Sequence, residues 1–320
     1  MKQKYKKILA GSLMALGVLV LSGTFHGFEV LKSLNLKLSN GLYGGRTVSD
    51  QIVIVQIDDR SFSEPENGGL GAMKNWNAST YAKVLEEVEK GDPKVVMYDV
   101  LFASKSDGVK SDEILEIAKE NSALGDFSAE ILNYLREPHP NDQKFIDVLS
   151  EYKNVYILKN TRGLPGFNGE SFEYAGEITP QKMFADVANL GFPNIIFGDL
   201  SENENTIYAI PYKFNINEKT EKQIDFKIAE DFSGSTVEPM LESGQMYINY
   251  AGKTGAYTRV SFSDVYNGKV SADIFANKIV LIGSTAEIIQ YNWYTPISQK
   301  NRMSGVEIHA NAIQTVLDGA

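Results

Sequence analysis

The chain has 320 residues, a net charge of −10 at pH 7 and no cysteine. Its hydrophobic fraction of 43% and charged fraction of 22% are typical of a folded globular protein rather than a disordered one. The acidic balance argues against a nucleic-acid partner, because phosphate binding needs a basic face. The lack of cysteine excludes disulfides and thiolate metal sites.

The N-terminus predicts a membrane segment. Residues 8–25 contain no charge over 18 positions, and four lysines lie within residues 2–7. As a helix this segment spans about 27 Å, close to the hydrocarbon thickness of a bilayer. The lysines place its N-terminal end in the cytoplasm. A cleaved signal peptide is the alternative, since Ser22 and Gly23 are small, although no A-x-A site follows.

This segment divides the chain into four predicted parts. Residues 1–7 form a cytoplasmic basic tail and residues 8–25 form a transmembrane helix or signal anchor. Residues 26–49 form a short amphipathic stalk, and residues 50–320 form one extracytoplasmic domain. The predicted location is therefore the cell membrane, crossed once, with the bulk of the chain outside.

Three apolar runs dominate the extracytoplasmic part. They cover residues 52–57, 95–98 and 279–282 and are rich in β-branched residues. Such nearly continuous runs are typical of parallel strands that are buried on both faces.

Further elements are predicted between and after these strands. Apolar residues at helical spacing predict helices around residues 81–88, 114–118, 131–135 and 142–149, the last with Asp142 as its cap, and two more beginning after Ser261 and at Gly305. We also predict strands at 156–158 and 246–250, a hairpin of 195–197 with 206–214, and a surface loop over 161–176. The fold class is α/β: a single domain with a mixed, mostly parallel central sheet flanked by helices, plus one N-terminal transmembrane helix.

The three main strands predict a site at their carboxyl ends. Ligands bind at that edge in open α/β sheets. Polar residues that follow these strands or begin the last helix are the candidates, namely Asp58, Asp59, Asp99, Thr285, Glu307 and His309. Carboxylates and an imidazole could hold a divalent cation or a small polar or cationic ligand. The sequence assigns neither a metal nor a cofactor.

Structural roles compete with this interpretation. Ser304-x-x-Glu307 is a capping box, in which Glu307 would satisfy backbone donors. His309 lies at the edge of an apolar helix face and could simply be packed there. Asp58 or Asp99 could cap the turn that follows its strand.

Catalysis has little support in the sequence. There is no G-x-S-x-G, H-E-x-x-H, P-loop or G-x-G-x-x-G motif. Tyr291, Trp293 and Tyr294 follow the third strand and could rim a pocket, form a contact surface or pack in the core.

The order of several short blocks resembles a known family. The blocks are residues 52–62, 75–77, 91–102, 190–194, 248–252 and 261–265, followed by the closing stretch 277–319 with its Gly305–Asn311 helix start. Together they resemble the CHASE2 family of bacterial extracytoplasmic sensory domains, over residues 50–319.

The resemblance implies a sensor rather than an enzyme. Its expected partner is a small ligand or an extracytoplasmic protein, and its expected effector is a cytoplasmic cyclase or kinase reached through membrane helices. A homodimer is compatible with this role. Because the sequence ends at Ala320, we expect either a truncated receptor or a stand-alone domain.

Two other functions remain open at this level. A membrane-anchored, metal-dependent hydrolase predicts a compact group of carboxylates with an oriented base. A structural interaction module predicts no closed pocket and an exposed apolar patch.

Overall fold

The computed structural model describes residues 46–104, 138–163, 165–167, 171–197, 206–237, 244–289, 292–297 and 301–319. The predicted transmembrane helix, residues 26–45 of the predicted stalk and the predicted helices around 114–118 and 131–135 lie outside these ranges. Among the residues that the structure does describe, none belongs to a helix with the length and apolarity needed to cross a bilayer. Thr47–Ala320 form one compact unit.

A six-stranded parallel sheet forms the centre of this unit. Its strands, in spatial order, are β14 (Thr258–Ser261), β1 (Ile52–Ile57), β15 (Ile279–Ser284), β2 (Val95–Asp99), β3 (Val155–Leu158) and β8 (Asn189–Gly191). The three predicted apolar runs are confirmed as adjacent central strands. Their side chains are almost completely buried, as expected for strands covered on both faces.

Six α-helices lie within the described ranges. They are α1 (Ala78–Glu89), α2 (Pro140–Glu151), α3 (Lys182–Ala185), α4 (Ile224–Ser233), α5 (Phe262–Tyr266) and α6 (Gly305–Leu317). The predicted helices around 81–88, 142–149, after Ser261 and at Gly305 are confirmed.

The predicted cap of α2 is wrong. Pro140 occupies the first helical turn, so the helix begins two residues earlier than Asp142. The side chain of His139 caps it by accepting a hydrogen bond from the Asn141 amide at 3.2 Å. Asp142 lies buried in the first turn, where a carboxylate is favoured by the helix dipole.

Smaller sheets lie beside the central one. They comprise β4 (Asn160–Arg162), β5 (Gly166–Phe167), β6 (Phe172–Tyr174), β7 (Gly176–Ile178), β9 (Ile196–Phe197), β10 (Ile207–Pro211), β11 (Lys213–Ile216), β12 (Lys219–Lys222), β13 (Gln245–Tyr247), β16 (Asn292–Trp293) and β17 (Met303–Ser304). Most pairings among them are antiparallel, so the fold as a whole is mixed α/β with a parallel centre.

Two predictions for this region had different outcomes. The hairpin is confirmed by the antiparallel pairing of β9 with β10, although the chain then leaves for another sheet at β11. The surface loop predicted over 161–176 is wrong, because short strands β4 to β7 run through it. Phe172 and Tyr174 alternate with an exposed Glu173, which is the burial pattern of a strand.

One face of the central sheet is covered by α1, α2 and α5, which form the main apolar core. Aromatic rings pack edge to face at its centre: Tyr81 lies 5.1 Å from Phe102, and Tyr98 lies 5.9 Å from Phe145, between ring centroids. The Tyr98 hydroxyl donates to the Tyr81 carbonyl at 2.7 Å, so the buried polar group is satisfied.

Helices α6 and α4 cover the opposite face and contact each other. Every residue of α6 from Val306 to Val316 is buried. The carboxyl edge of the central sheet and the N-terminal end of α6 meet at the same place, and the candidate site lies there.

Candidate ligand-binding site

Helix α6 begins very close to the ends of two strands. A β-carbon added to Gly283, on β15, would lie 2.9 Å from the β-carbons of both Asp99 and Val306. At Gly305 an added β-carbon would lie 3.6 Å from Asp99 Oδ2, an ordinary contact distance. The two glycines thus allow the start of α6 to approach the end of β2, where Asp99 lies.

Asp99 is one of two candidate residues that line a cavity, and His309 is the other. The Asp99 side chain is partly exposed, and it makes no hydrogen bond to any described residue. Burial raises the pKa of Asp99; the nearby charge of His309 lowers it, and the charge of Asp225 raises it.

His309 is held by a carboxylate that the sequence analysis missed. Its Nδ1 lies 2.9 Å from Asp225 Oδ1 and 3.0 Å from Asp225 Oδ2. Gln223 fixes the same carboxylate, donating from Nε2 to Oδ2 at 2.8 Å. Burial lowers the pKa of His309, but the charge and hydrogen bond of Asp225, with the charge of Asp99, outweigh burial and raise it to about 9. The pair is therefore an imidazolium and a carboxylate at neutral pH.

The sequence gives only a weak indication of the helix that carries Asp225. Asp225 lies in the first turn of α4, which precedes Gly234, a left-handed residue of the kind that ends helices. The apolar pattern of Ile224, Phe226 and Ile228 could have indicated the helix. Nothing in the sequence indicates that its acidic residue meets a histidine 84 positions away.

Asp99 and His309 line a cavity of about 740 Å³ at the carboxyl ends of β1, β2, β3 and β15. Its other described lining residues are mainly apolar: Ile57, Met73, Val100, Leu101, Leu158, Gly163, Pro165, Tyr174, Pro193, Ile195, Ile289, Trp293, Gly305 and Ile308, with the polar Asn160, Thr161, Asn194 and Ser284. The volume lies within the range of small-molecule sites. Apolar walls with a few polar groups are also typical of such sites.

Two of these polar residues carry buried atoms that have no hydrogen-bond partner within the described structure. They are the Ser284 hydroxyl and Asn194 Oδ1. Asn194 is 8% exposed, and its amide nitrogen donates to Thr161 Oγ1 at 3.0 Å. Unsatisfied buried polar atoms are uncommon in native proteins, and a ligand or water is a usual explanation.

Asp58 does not share this cavity. Its Oδ1 accepts hydrogen bonds from the Ser61 amide, the Ser61 hydroxyl and the Ser261 hydroxyl at 3.0, 2.7 and 2.9 Å. Gln56 Nε2 donates to its Oδ2 at 3.0 Å. Asp58 therefore caps the following turn, as the structural alternative supposed, and Asp59 beside it is exposed.

Thr285 and Glu307 also lie outside the set of described cavity-lining residues. Thr285 Oγ1 donates to Gln56 Oε1 at 3.5 Å, which is a long contact. Glu307 is completely buried, accepts a hydrogen bond from the Gly255 amide at 2.7 Å and pairs with Arg259 at 2.6 Å. Because the Ser304 side chain makes no capping hydrogen bond, the capping-box alternative for Glu307 is wrong.

The six predicted residues thus do not form one constellation. The structure brings Asp99 and His309 together, and Asp58, Thr285 and Glu307 have separate partners. Within the described ranges no group of three or more His, Asp or Glu residues is arranged to hold a metal ion.

The fold is that of an open α/β domain, and its cavity lies at the carboxyl edge of the parallel sheet, the edge at which such folds commonly bind ligands. The family model of the CHASE2 domain matches residues 13–320, nearly the whole chain, and the chain therefore belongs to the CHASE2 family. CHASE2 domains are extracytoplasmic, sensory and non-catalytic. Neither a curated protein nor a solved structure matches the chain significantly.

Proposed function

We propose that this chain is the sensory part of a bacterial membrane receptor and that it detects a small molecule in the cavity beside Asp99 and His309. The observation that carries the proposal is the cavity itself. It has the volume of a small-molecule site and lies where α/β sheets bind ligands. Asp99 supplies a carboxylate that no described residue satisfies.

Helix α6 is the route by which occupancy of the cavity would be reported. Gly305, Ile308 and His309 at its N-terminal end line the cavity. Near its other end, Gln314 Nε2 donates to the Thr47 carbonyl at 3.0 Å, and Gln314 Oε1 accepts from the Ser49 amide at 3.0 Å. A ligand that moves or stiffens the start of α6 would therefore act on the last residues of the predicted stalk, Thr47 and Ser49.

We infer the location of the domain and its cytoplasmic effector from its membership of a sensory family. The domain would lie outside the cell, anchored by residues 8–25, and a cyclase or kinase in the cytoplasm would respond. A ligand can shift such a domain between two arrangements only by binding one of them more tightly.

Ligand-observed NMR on the purified full chain tests the sensory site. A fragment library with acidic, basic and neutral members is screened by saturation transfer against the wild type, a Gly305→Leu variant and a Gly166→Leu variant. Leucine at 305 would project toward Asp99 and occupy the part of the cavity beside it, whereas Gly166 is exposed with open space around it.

We expect fragments that bind the wild type and Gly166→Leu but not Gly305→Leu. Circular dichroism of both variants shows whether the fold is retained, and Gly305→Val is a smaller block if leucine is not tolerated. A library that binds all proteins equally, or binds none, would contradict a sensory cavity at this place.

A further inference from the structure

The chemistry of the cavity narrows the class of ligand. This step rests on the proposed function, since it concerns the same cavity. Among the described lining residues, Asp99 is the acidic side chain and His309 is the basic one, and His309 is paired with Asp225. Because His309 and Asp225 are paired with each other, the ionised form of Asp99 gives the site an excess of one negative charge.

The described lining contains neither lysine nor arginine. Lys159 and Arg162 are neighbours of lining residues along the chain but are not lining residues themselves. The Nζ of Lys159 pairs with Glu177 at 3.2 Å and lies 4.4 Å from the centre of the Phe192 ring, and Arg162 is exposed. An anionic ligand would thus meet an uncompensated carboxylate with no free cation among the described lining residues. Burying such a pair of like charges is costly.

Hydrogen-bond acceptors are also present in the lining. Asp99 offers only acceptor atoms when ionised, Asn194 Oδ1 is a buried acceptor with no described partner, and the unpartnered Ser284 hydroxyl can accept as well. These groups suit a ligand that brings donors.

Aromatic residues also line the cavity. Trp293 and Tyr174 line the cavity together with the Met73 thioether. The face of an aromatic ring attracts a cation, and carboxylate with aromatic walls is a recurring arrangement around ammonium groups. The apolar majority of the lining would contact the hydrocarbon part of the same molecule.

We propose that the cavity binds an organic cation, a small molecule that carries an ammonium group beside Asp99 and an apolar body against the hydrophobic walls. Asp99 accepts hydrogen bonds from the ammonium group. Burial raises the pKa of ligand-free Asp99. A bound ammonium favours its ionised form, so binding should release a proton when the pH lies near that raised pKa.

Matched probes test the charge preference. Each of two series contains an amine, an alcohol and an acid with the same kind of apolar group. The first is 2-phenylethylamine, 2-phenylethanol and 3-phenylpropionate, and the second is hexylamine, hexanol and hexanoate. Each compound is titrated into the full chain by calorimetry at low salt and about pH 7.5. Asp99→Asn removes the charge with little change in shape, and Asp59→Asn removes an exposed charge that is not among the described lining residues.

We expect the amines to bind more tightly than the matched alcohols and acids, and Asp99→Asn to weaken amine binding by about tenfold or more, the effect of losing one charged hydrogen bond. Asp59→Asn should leave amine binding unchanged. Acids that bind more tightly than amines, or amines that bind Asp99→Asn as well as the wild type, would overturn the cation while leaving the cavity as a binding site. If none of the amines binds, the proposal of a cationic ligand is also overturned. The fragment screen then tests separately whether the cavity is a sensory site.

Discussion

Asp58 and Asp99 show how the same residue type takes different roles at equivalent positions. Both lie at the carboxyl ends of strands in the central sheet. Asp58 has four hydrogen bonds from Gln56, Ser61 and Ser261 and is fully used in holding a turn. Asp99 has none within the described structure and faces a cavity. Only the second arrangement leaves a carboxylate for a ligand.

His309 predicts a stability that depends on pH. Asp225 on α4 and Asp99 on β2 are the charged groups that face it, and they raise the pKa of His309 to about 9, above the ordinary 6.5. A raised histidine pKa means that the pair stabilises the fold fully below about pH 6.5 and that this contribution is lost as the pH rises through about 9. The loss amounts to at most about 3 kcal/mol.

Unfolding midpoints of the full chain from about pH 6 to about pH 9.5 measure this effect. His309→Gln removes the titrating group, so the wild type should be the more stable protein at low pH, with the difference shrinking toward high pH. Glu89, whose pKa burial raises to about 7, titrates in both proteins and cancels. A difference that stays constant with pH would show that the pair is not charged as inferred.

Helix α6 is the element on which the site depends. Besides the cavity residues at its start, it presents buried polar side chains to a neighbouring segment. Asn311 Oδ1 accepts from the Ala251 amide at 2.8 Å, and Thr315 Oγ1 accepts from the Asn249 amide at 3.0 Å. Two of the sequence blocks that resemble the CHASE2 family, residues 248–252 and 277–319, are therefore joined by hydrogen bonds.

Gly283 should be the position most sensitive to added volume at this crossing. Alanine there would place its methyl group 2.9 Å from two other β-carbons, so either α6 or the end of β2 must shift. We expect a loss of about 1–3 kcal/mol, typical of overpacking, in the free energy of unfolding measured with denaturant.

Gly305→Ala is the matched comparison, because its methyl group would meet Asp99 Oδ2 at 3.6 Å without overlap. That change should cost less than about 0.5 kcal/mol. Equal losses in the two variants would show that close packing at residue 283 does not set the position of α6.

The central elements were predictable because their signals are local. The apolar run of residues 52–57 and the stripe over 81–88 specify their own structure, and both were confirmed. The helix starts predicted after Ser261 and at the Ser304 capping box were correct, but neither serine makes a capping hydrogen bond. Ser261 instead donates to Asp58, a partner 203 residues away that local reasoning could not indicate.

The site was predictable only in part, because the partners of its side chains depend on residues that are distant in the sequence. The rule that ligands bind at the carboxyl edge of a sheet led to Asp99 and His309, which the structure places on one cavity. It also led to Asp58, Thr285 and Glu307, whose side chains turn to other partners. Asp225 was missed because its role comes from the packing of α4 against α6, which depends on the whole fold.

At the scale of the molecule, α6 joins the cavity to the start of the domain. Its N-terminal end lines the cavity, and Gln314 near its C-terminal end holds Thr47 and Ser49. A sensory domain needs a physical connection of this kind between what it binds and what it moves. We therefore infer that the cavity at the start of α6 is open to small molecules and favours cations.

A single thiol measures this claim most directly, since the chain has no cysteine of its own. In Gly305→Cys the new side chain would lie beside Asp99. Its thiolate forms a mixed disulfide with a methanethiosulfonate reagent and releases methanesulfinate, and intact-protein mass spectrometry follows the rate. The trimethylammonium-ethyl reagent is cationic and the sulfonatoethyl reagent is anionic. An exposed thiol in Gly166→Cys corrects for their intrinsic reactivities.

We predict that the thiol at 305 reacts, and that the corrected rate favours the cationic reagent by about tenfold at low salt, as expected for one carboxylate nearby in a partly shielded site. Adding Asp99→Asn should bring the ratio close to one. A thiol that neither reagent modifies would contradict an open cavity, and a corrected ratio of one in the presence of Asp99 would contradict its preference for cations.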